Sequence, residues 1–444
     1  MRRALQPQLS FTAPLTHNDR LAELQQIDKI LDENPHLVEL VYADLVRDID
    51  PNKGRTGLAA ETVLRILILK QTYDFTYEDL EFYLGDSPTL RWFCRLDCTE
   101  LPKKSPMQRD IKKLQPETLK AAACAVVRYA MEQGIENGRK VRSDCTAVET
   151  MIHQPTDSSL LADCVRVLTR LLIAANKSTA QVAFSNHTRR ANRRAKAIEY
   201  ARGRGRRKRL YRDLLKITGK TVGYAERAIP VLTAIGGENA KALSKLLLHY
   251  VDLTKQVLWQ TRRRVIDGES VPVQDKLVSI FEPHTDIIIK SRRETLYGHK
   301  LCLTAGASGL ILDGDILDGN PADSTLTVQM IEQLKEIYGK IPRQATFDGA
   351  FSSIDNLVAI KEIGVQDVVF QKSRGIEIED MAKSKRVYKK LRNFRAGIEA
   401  TISFLKRSFA LSRCTWRSLA SFKSYVWSSI FSANLLIVAR HALR

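Results

Sequence analysis

The chain has 444 residues, enough for two or three domains, and is 44% hydrophobic, enough for a sizeable core. Its 70 Lys and Arg against 50 Asp and Glu give a net charge of +20, which points to a polyanionic partner, most often nucleic acid. Seven scattered cysteines without a CxxC pair exclude a disulfide framework and a zinc finger, and the most apolar run, 425–439, is too short to span a bilayer, so a cytoplasmic protein with reduced thiols and no membrane partner is expected.

In chain order, the basic start "MRRALQPQLSF" lacks the apolar segment of a signal peptide. Residues 17–135 repeat apolar positions at i, i+3 and i+4 and predict a helical bundle. At 139–149 the period changes to two: Ser143, Cys145 and Ala147 share one face, Arg142, Asp144 and Thr146 the other. An Asp in mid-strand is unusual, because its side chain competes with the ladder. Helical periodicity returns at about 157–270. Within it, residues 189–212 carry twelve basic residues and one acid, too lopsided for an ordinary solvated face. Arg189, Arg190, Arg193, Arg194, Arg202, Arg204, Arg206, Arg207, Lys208 and Arg209 are therefore candidates for a DNA-phosphate surface.

Strands resume at 297–318 as a hairpin around a Gly/Ser turn, then a helix capped by Asp323 or Ser324, a short strand ending at Asp348, a helix, a strand, and a last helix over 389–411. This order predicts an α/β fold, a mixed sheet covered by helices. Three acids stand out: Asp144 in mid-strand, Asp348 at a strand end and Glu399 on the last helix. Taken alone, Glu399 is half of an i,i+4 pair with Arg395, worth about 0.3–0.5 kcal/mol. It lies, however, at the edge of the apolar stripe formed by Leu391, Phe394, Ile398, Ile402, Leu405 and Phe409, which would pack on the sheet. Three clustered carboxylates repel one another unless a cation is held. Oxygen ligands suit Mg²⁺ or Mn²⁺, and two such ions about 3.5–4 Å apart serve phosphodiester cleavage. Nearby cations, among them Lys372, Arg374, Arg392 and Arg395, would hold a DNA backbone. Glu149 and Asp323 are reserve neighbours of the metals, Asp323 being read first as a helix cap; His153 and His299 are read as structural.

Five stretches in order carry a family resemblance. "SDCTAVE" is similar to a first-Asp strand, "YGHKLCLTA" to a second strand, and "DGNPADST" to the loop before the first core helix. "TFDGAFSS" is similar to a second-Asp signature. "RNFRAGIEATISFLK" fits a Y-(2)-R-(3)-E-(6)-K pattern at Arg395, Glu399 and Lys406, with Arg392 where the Tyr would stand. Residues 54–97 resemble a helical N-terminal transposase domain. The chain thus resembles the DDE transposases of bacterial insertion sequences.

The resemblance implies an RNase H-like catalytic core with Asp144, Asp348 and Glu399 as metal ligands for two Mg²⁺ ions (or Mn²⁺). Arg395 and Lys406 would lie at the transposon end. It also implies double-stranded DNA partners (element ends and target), a homodimer and a cytoplasmic, nucleoid-associated protein. The expected layout is a helical end-binding and dimerisation domain at 1–135, the first core strand at 136–156, a basic helical insertion at 157–285, and the rest of the core at 286–444. Relatives with a β-rich insert carry it between the second Asp and the Glu; here that interval is only 51 residues. The competing readings are an inactive transposase-derived repressor and another RNase H-like nuclease.

Overall fold

The structure, a computed structural model, describes residues 19–444 except 49, 51, 52, 54–56, 97–100, 180, 292, 293 and 373. The basic N-terminal stretch, Cys98 and the start of the 54–97 segment lie outside the described residues. The chain forms two compact units, Met1–Glu149 with His299–Arg444, and Thr150–Gly298.

The first unit opens with helices α1 (Asp19–Glu33), α2 (His36–Val46), α3 (Ala60–Thr72), α4 (Tyr77–Asp86), α5 (Pro88–Phe93), α6 (Lys104–Ile111) and α7 (Pro116–Glu132). Helix α3 is buried all round, as a run with Val63, Leu64 and Ile66–Leu69 requires. Helix α4 starts with a reciprocal capping box between Thr76 and Asp79. Strand β1 (Lys140–Glu149) follows.

The second unit contains α8 (Asp157–Thr179), α9 (Thr188–Glu199), α10 (Arg204–Ile235), α11 (Glu238–Thr261) and β2 (Asp286–Ser291). These helices close around their own core, with Leu168, Leu172, Leu214, Leu232, Leu247 and Val251 at its centre. Strand β3 (Glu294–Ala305) begins in this unit, where Asp286 pairs with Gly298 and Ile287 with Tyr297, and ends in the first.

The first unit resumes with β4 (Ile311–Ile316), α12 (Thr327–Tyr338), β5 (Gln344–Phe347), α13 (Ile354–Ile363), β6 (Asp367–Phe370), α14 (Ile378–Met381), α15 (Lys385–Arg395), α16 (Gly397–Ser408) and α17 (Leu419–Ala442). Here the strand order is β4-β3-β1-β5-β6. Strands β1, β5 and β6 are parallel, and β3–β4 is an antiparallel hairpin. This is the expected mixed sheet covered by helices, with the RNase H-like order in which the first strand lies at the centre.

Helix α17 is buried along most of its length, and several of its polar residues are satisfied inside. Asn434 Nδ2 donates to the Ile311 carbonyl (2.8 Å), Asn434 Oδ1 accepts from Ile311 N (2.9 Å), and Ser428 Oγ accepts from Gln71 Nε2 (2.8 Å). No helix among the described residues is long and apolar enough to cross a membrane.

Four expectations change. The helix expected over 389–411 is broken into α15 and α16 at Ala396. Arg142 Nη1 donates to the Phe394 carbonyl (3.3 Å), which an unbroken helix would offer to Ile398, and Glu399 N turns to Ala396 O (3.2 Å), the tighter i→i−3 pattern. Gly397 permits this approach, since a Cβ there would stand 1.7 Å from Arg142 Nη1. Second, α12 starts at Thr327 with no side-chain cap, and Asp323 opens a 3₁₀ turn instead. Third, β2 is an additional strand, preceding the point at which strands were expected to resume. Fourth, Cys145 and Cys302 form a disulfide, so not all thiols are reduced. Ser143 also meets Thr304 (2.9 Å between hydroxyls), so β1 and β3 run oppositely with a register that brings the two cysteine Cα atoms within 4.1 Å.

Candidate active site

The parallel register of β1 and β5 pairs Ser143 with Phe347. Their next residues, Asp144 and Asp348, therefore lie side by side where β5 ends. Asp348 is held there by its own turn: Phe351 N donates to the Asp348 carbonyl (3.2 Å), and Phe351 is buried against Phe347 with ring centroids 5.6 Å apart. Gly349 is required because a Cβ would stand 2.8 Å from Lys372 Cβ, a close approach that no longer side chain allows. Glu399 occupies the first turn of α16, where a carboxylate is favoured by the helix dipole.

The three carboxylates meet one guanidinium. Arg395 Nη2 lies 2.7 Å from Asp144 Oδ2 and 3.6 Å from Asp348 Oδ1, and Nη1 lies 2.7 Å from Glu399 Oε1. The side-chain exposures are 6% for Arg395, 17% for Asp144, 37% for Asp348 and 66% for Glu399, so the cluster opens outward from Asp144. Burial pushes the Asp144 carboxyl above its ordinary value. Arg395 and the N–H of Cys145 (2.8 Å) act in the opposite sense, while Asp348 and Asp323 add to the rise.

Arg395, expected at a DNA phosphate, is thus turned inward onto the three acids. Among the described residues no three His, Cys, Asp or Glu side chains stand grouped as a metal-binding set. The donor set, three carboxylates gathered on a single cation at the end of a sheet, nevertheless fits a hard divalent ion.

The other expected residues are dispersed. Lys372 and Arg374 are exposed after β6, Arg392 is exposed on α15, and Lys406 is half-buried on α16. In the second unit, Arg190 and Arg194 both bind Asp213, Lys208 donates to the Ile266 carbonyl (2.9 Å), and Arg207 donates to that of Ala201 (3.3 Å). Arg189, Arg193, Arg202, Arg204, Arg206 and Arg209 are exposed. His153 meets Ser159 (3.3 Å), and buried His299 stands edge-on to Phe422. Glu149 lies 3.8 Å from Arg413, and its odd number puts it on the opposite face of β1 from Asp144.

Two contributors were not expected. Lys300, the lysine of "YGHK", pairs with Asp323 and donates to the Pro321 carbonyl (2.6 Å). Arg142 sets the break before Glu399. The first had a signal in the motif lysine; the second depends on a contact between residues 252 apart.

Comparison with known families decides the assignment. A model described as "Transposase DDE domain" matches residues 258–435, and one described as "Transposase domain (DUF772)" matches residues 12–112. The chain belongs to the DDE-type insertion-sequence transposases. The DDE-domain match contains Asp348, Arg395 and Glu399 but not Asp144, which lies outside both matched stretches. No curated protein and no solved structure matches the chain. DDE transposase domains act on DNA and generally use divalent metal ions, which frames the chemistry this transposase must perform.

Proposed function

We propose that this transposase binds the terminal inverted repeats of its element, cleaves phosphodiester bonds there with Mg²⁺ (or Mn²⁺) held by Asp144, Asp348 and Glu399, and joins the freed 3′ ends to target DNA. The observation that carries the reading is the convergence of the three carboxylates, from mid-β1, the end of β5 and the first turn of α16, on one cation. Divalent ions bound there would supply Lewis acidity at the phosphate oxygens. The chain's part is to hold these ions at oxygen donors on rigid elements and to hold the phosphate backbone with Lys372, Arg374, Arg392 and Lys406. Needing no covalent protein–DNA intermediate, the reading assigns no nucleophilic side chain. Two ends must be held together, so the working unit is a homodimer.

The test is nicking of duplex DNA carrying the repeats that flank the gene. It should require Mg²⁺ or Mn²⁺, stop in EDTA, and be followed by joining to a second duplex. Nicking without joining would identify a plain nuclease, and binding without nicking a repressor.

The exposed arginines of α9, α10 and the segment between them form the second half of the reading, a phosphate-tracking surface. Changing Arg202, Arg204, Arg206 and Arg209 to Ala should lower the slope of log K against log salt by about one unit per lost phosphate contact. Changing Arg190 and Arg194, which bind Asp213, should lower the melting temperature and move the slope less. A salt slope that stays the same in the four-arginine variant returns this surface to ordinary solvation.

A further inference from the structure

We propose that Arg395 is the built-in counter-cation of the carboxylate set and that it must leave for divalent ions to enter, so that one side chain gates metal loading. The inference rests on the reading of Asp144, Asp348 and Glu399 as metal ligands. Its ground is geometric. Arg395 Nη2 bonds Asp144 Oδ2 at 2.7 Å and Nη1 bonds Glu399 Oε1 at 2.7 Å, with Asp348 Oδ1 at 3.6 Å from Nη2. A Mg²⁺ ion sits about 2.0–2.1 Å from its oxygens and needs the same lone pairs that now accept from the guanidinium. The two cations therefore compete for one place, and a guanidinium with a single charge leaves a set of three carboxylates under-neutralised. A divalent ion reduces that imbalance and so can displace it.

The bond to Asp144 is not a surface pair. The Arg395 side chain is 6% exposed and that of Asp144 17%, so screening by water is weak where they meet. Arg395 is the last residue of α15, and the break at Ala396 separates it from the helix that carries Glu399. The guanidinium can thus be exchanged without unwinding the turn that holds Glu399. Once displaced, Arg395 is a cation beside a metal site with no carboxylate to bind, and a phosphodiester is the anion this reaction brings. DNA would capture the released guanidinium, and by linkage DNA and metal would each raise the affinity of the other. Arg395 is in this sense a positioning residue: it acts on the metals through the ligands that it occupies.

The experiment measures Mn²⁺ binding by calorimetry on the full chain without DNA, with melting curves in EDTA and in Mn²⁺. Arg395→Gln should bind Mn²⁺ at least about tenfold tighter than the unaltered protein. It should also melt lower in EDTA and gain more from Mn²⁺. Arg395→Lys, which keeps the charge, should bind close to the unaltered protein. Unaltered or weaker Mn²⁺ binding by Arg395→Gln overturns the gate and makes Arg395 a simple organiser of the ligands. Asp348→Asn separates the two failures: if it lowers Mn²⁺ binding while Arg395→Gln has no effect, the metal site stands and the gate falls. If neither the unaltered protein nor any variant binds Mn²⁺, the metal reading falls and takes the gate with it.

Discussion

Asp144→Asn is expected to reduce Mg²⁺-dependent nicking by more than about a hundredfold, since even the outer partners of metal ligands cost about 10- to 100-fold when removed. Asn keeps the volume and can still accept from the N–H of Cys145 through its amide oxygen, so β1 keeps its shape. What is lost is the charge on Oδ2, the atom that now faces Arg395. Without divalent ions, DNA affinity, which on the proposed reading draws on cations elsewhere, should hardly change. Stability supplies an independent readout. The Asp144 carboxyl is raised in the folded protein, first by burial, so the folded state keeps this proton to higher pH than the unfolded chain does. Its contribution to stability is therefore full below the unfolded value, about 3.9, and is lost as pH rises through the folded value. At neutral pH without metal the charged Asp144 is a cost, and Asp144→Asn should melt as high as the unaltered protein or higher. The difference should shrink toward acid pH. An inactive variant that melts lower at neutral pH would mean that Asp144 serves the fold. A variant that still nicks would remove Asp144 from the chemistry.

Much of this site can be read in the sequence because its parts rest on local patterns. Period-two alternation isolates Asp144 on one face of a strand. The short strand "QATF" runs straight into Asp348, and helical spacing places Glu399 beside a buried stripe. What could not be read depends on distant partners. The break at Ala396 is set by Arg142 reaching Phe394, and it accompanies the turn of Arg395 onto the acids rather than outward. The Cys145–Cys302 bond depends on the register of β1 against β3 across 157 residues. Asp323 has the residue type and place of a helix cap, yet Lys300 on β3 claims it. In the basic run, composition could count the cations but could not tell that Asp213 and two carbonyls hold four of them.

The largest stability effect is expected far from the chemistry, at Arg65. Its side chain is fully buried on α3 and holds three acids: Asp28 at 2.5 Å, Glu61 at 2.9 Å and Asp32 at 3.2 Å. It also donates to the Phe93 carbonyl at 3.1 Å and stacks its guanidinium 5.3 Å from the Phe93 ring centre. Arg65→Ala should destabilise the protein by about 3–5 kcal/mol, the range for breaking a buried ion cluster from one side. The loss has two parts that can be separated. One is the cavity, which Arg65→Met largely fills. The other is the stranded acids, and these are unequal: Asp32 and Glu61 are 56% and 38% exposed and can turn to water, while Asp28 is 14% exposed and cannot. Arg95 reaches the same three acids and carries part of the charge, but it is 36% exposed and cannot replace the bond to the Phe93 carbonyl. Adding Asp28→Asn to Arg65→Met should therefore recover stability, although Asp28→Asn alone lowers it. That change of sign is the mark of direct coupling. Urea unfolding of the four proteins gives the cycle, and a loss under about 1 kcal/mol for Arg65→Ala would reduce the cluster to a surface pair. Because α1, α3 and α5 share one core with the sheet that carries Asp144 and Asp348, Arg65→Ala should also lose nicking on warming, with the activity that remains at low temperature showing an unchanged metal requirement.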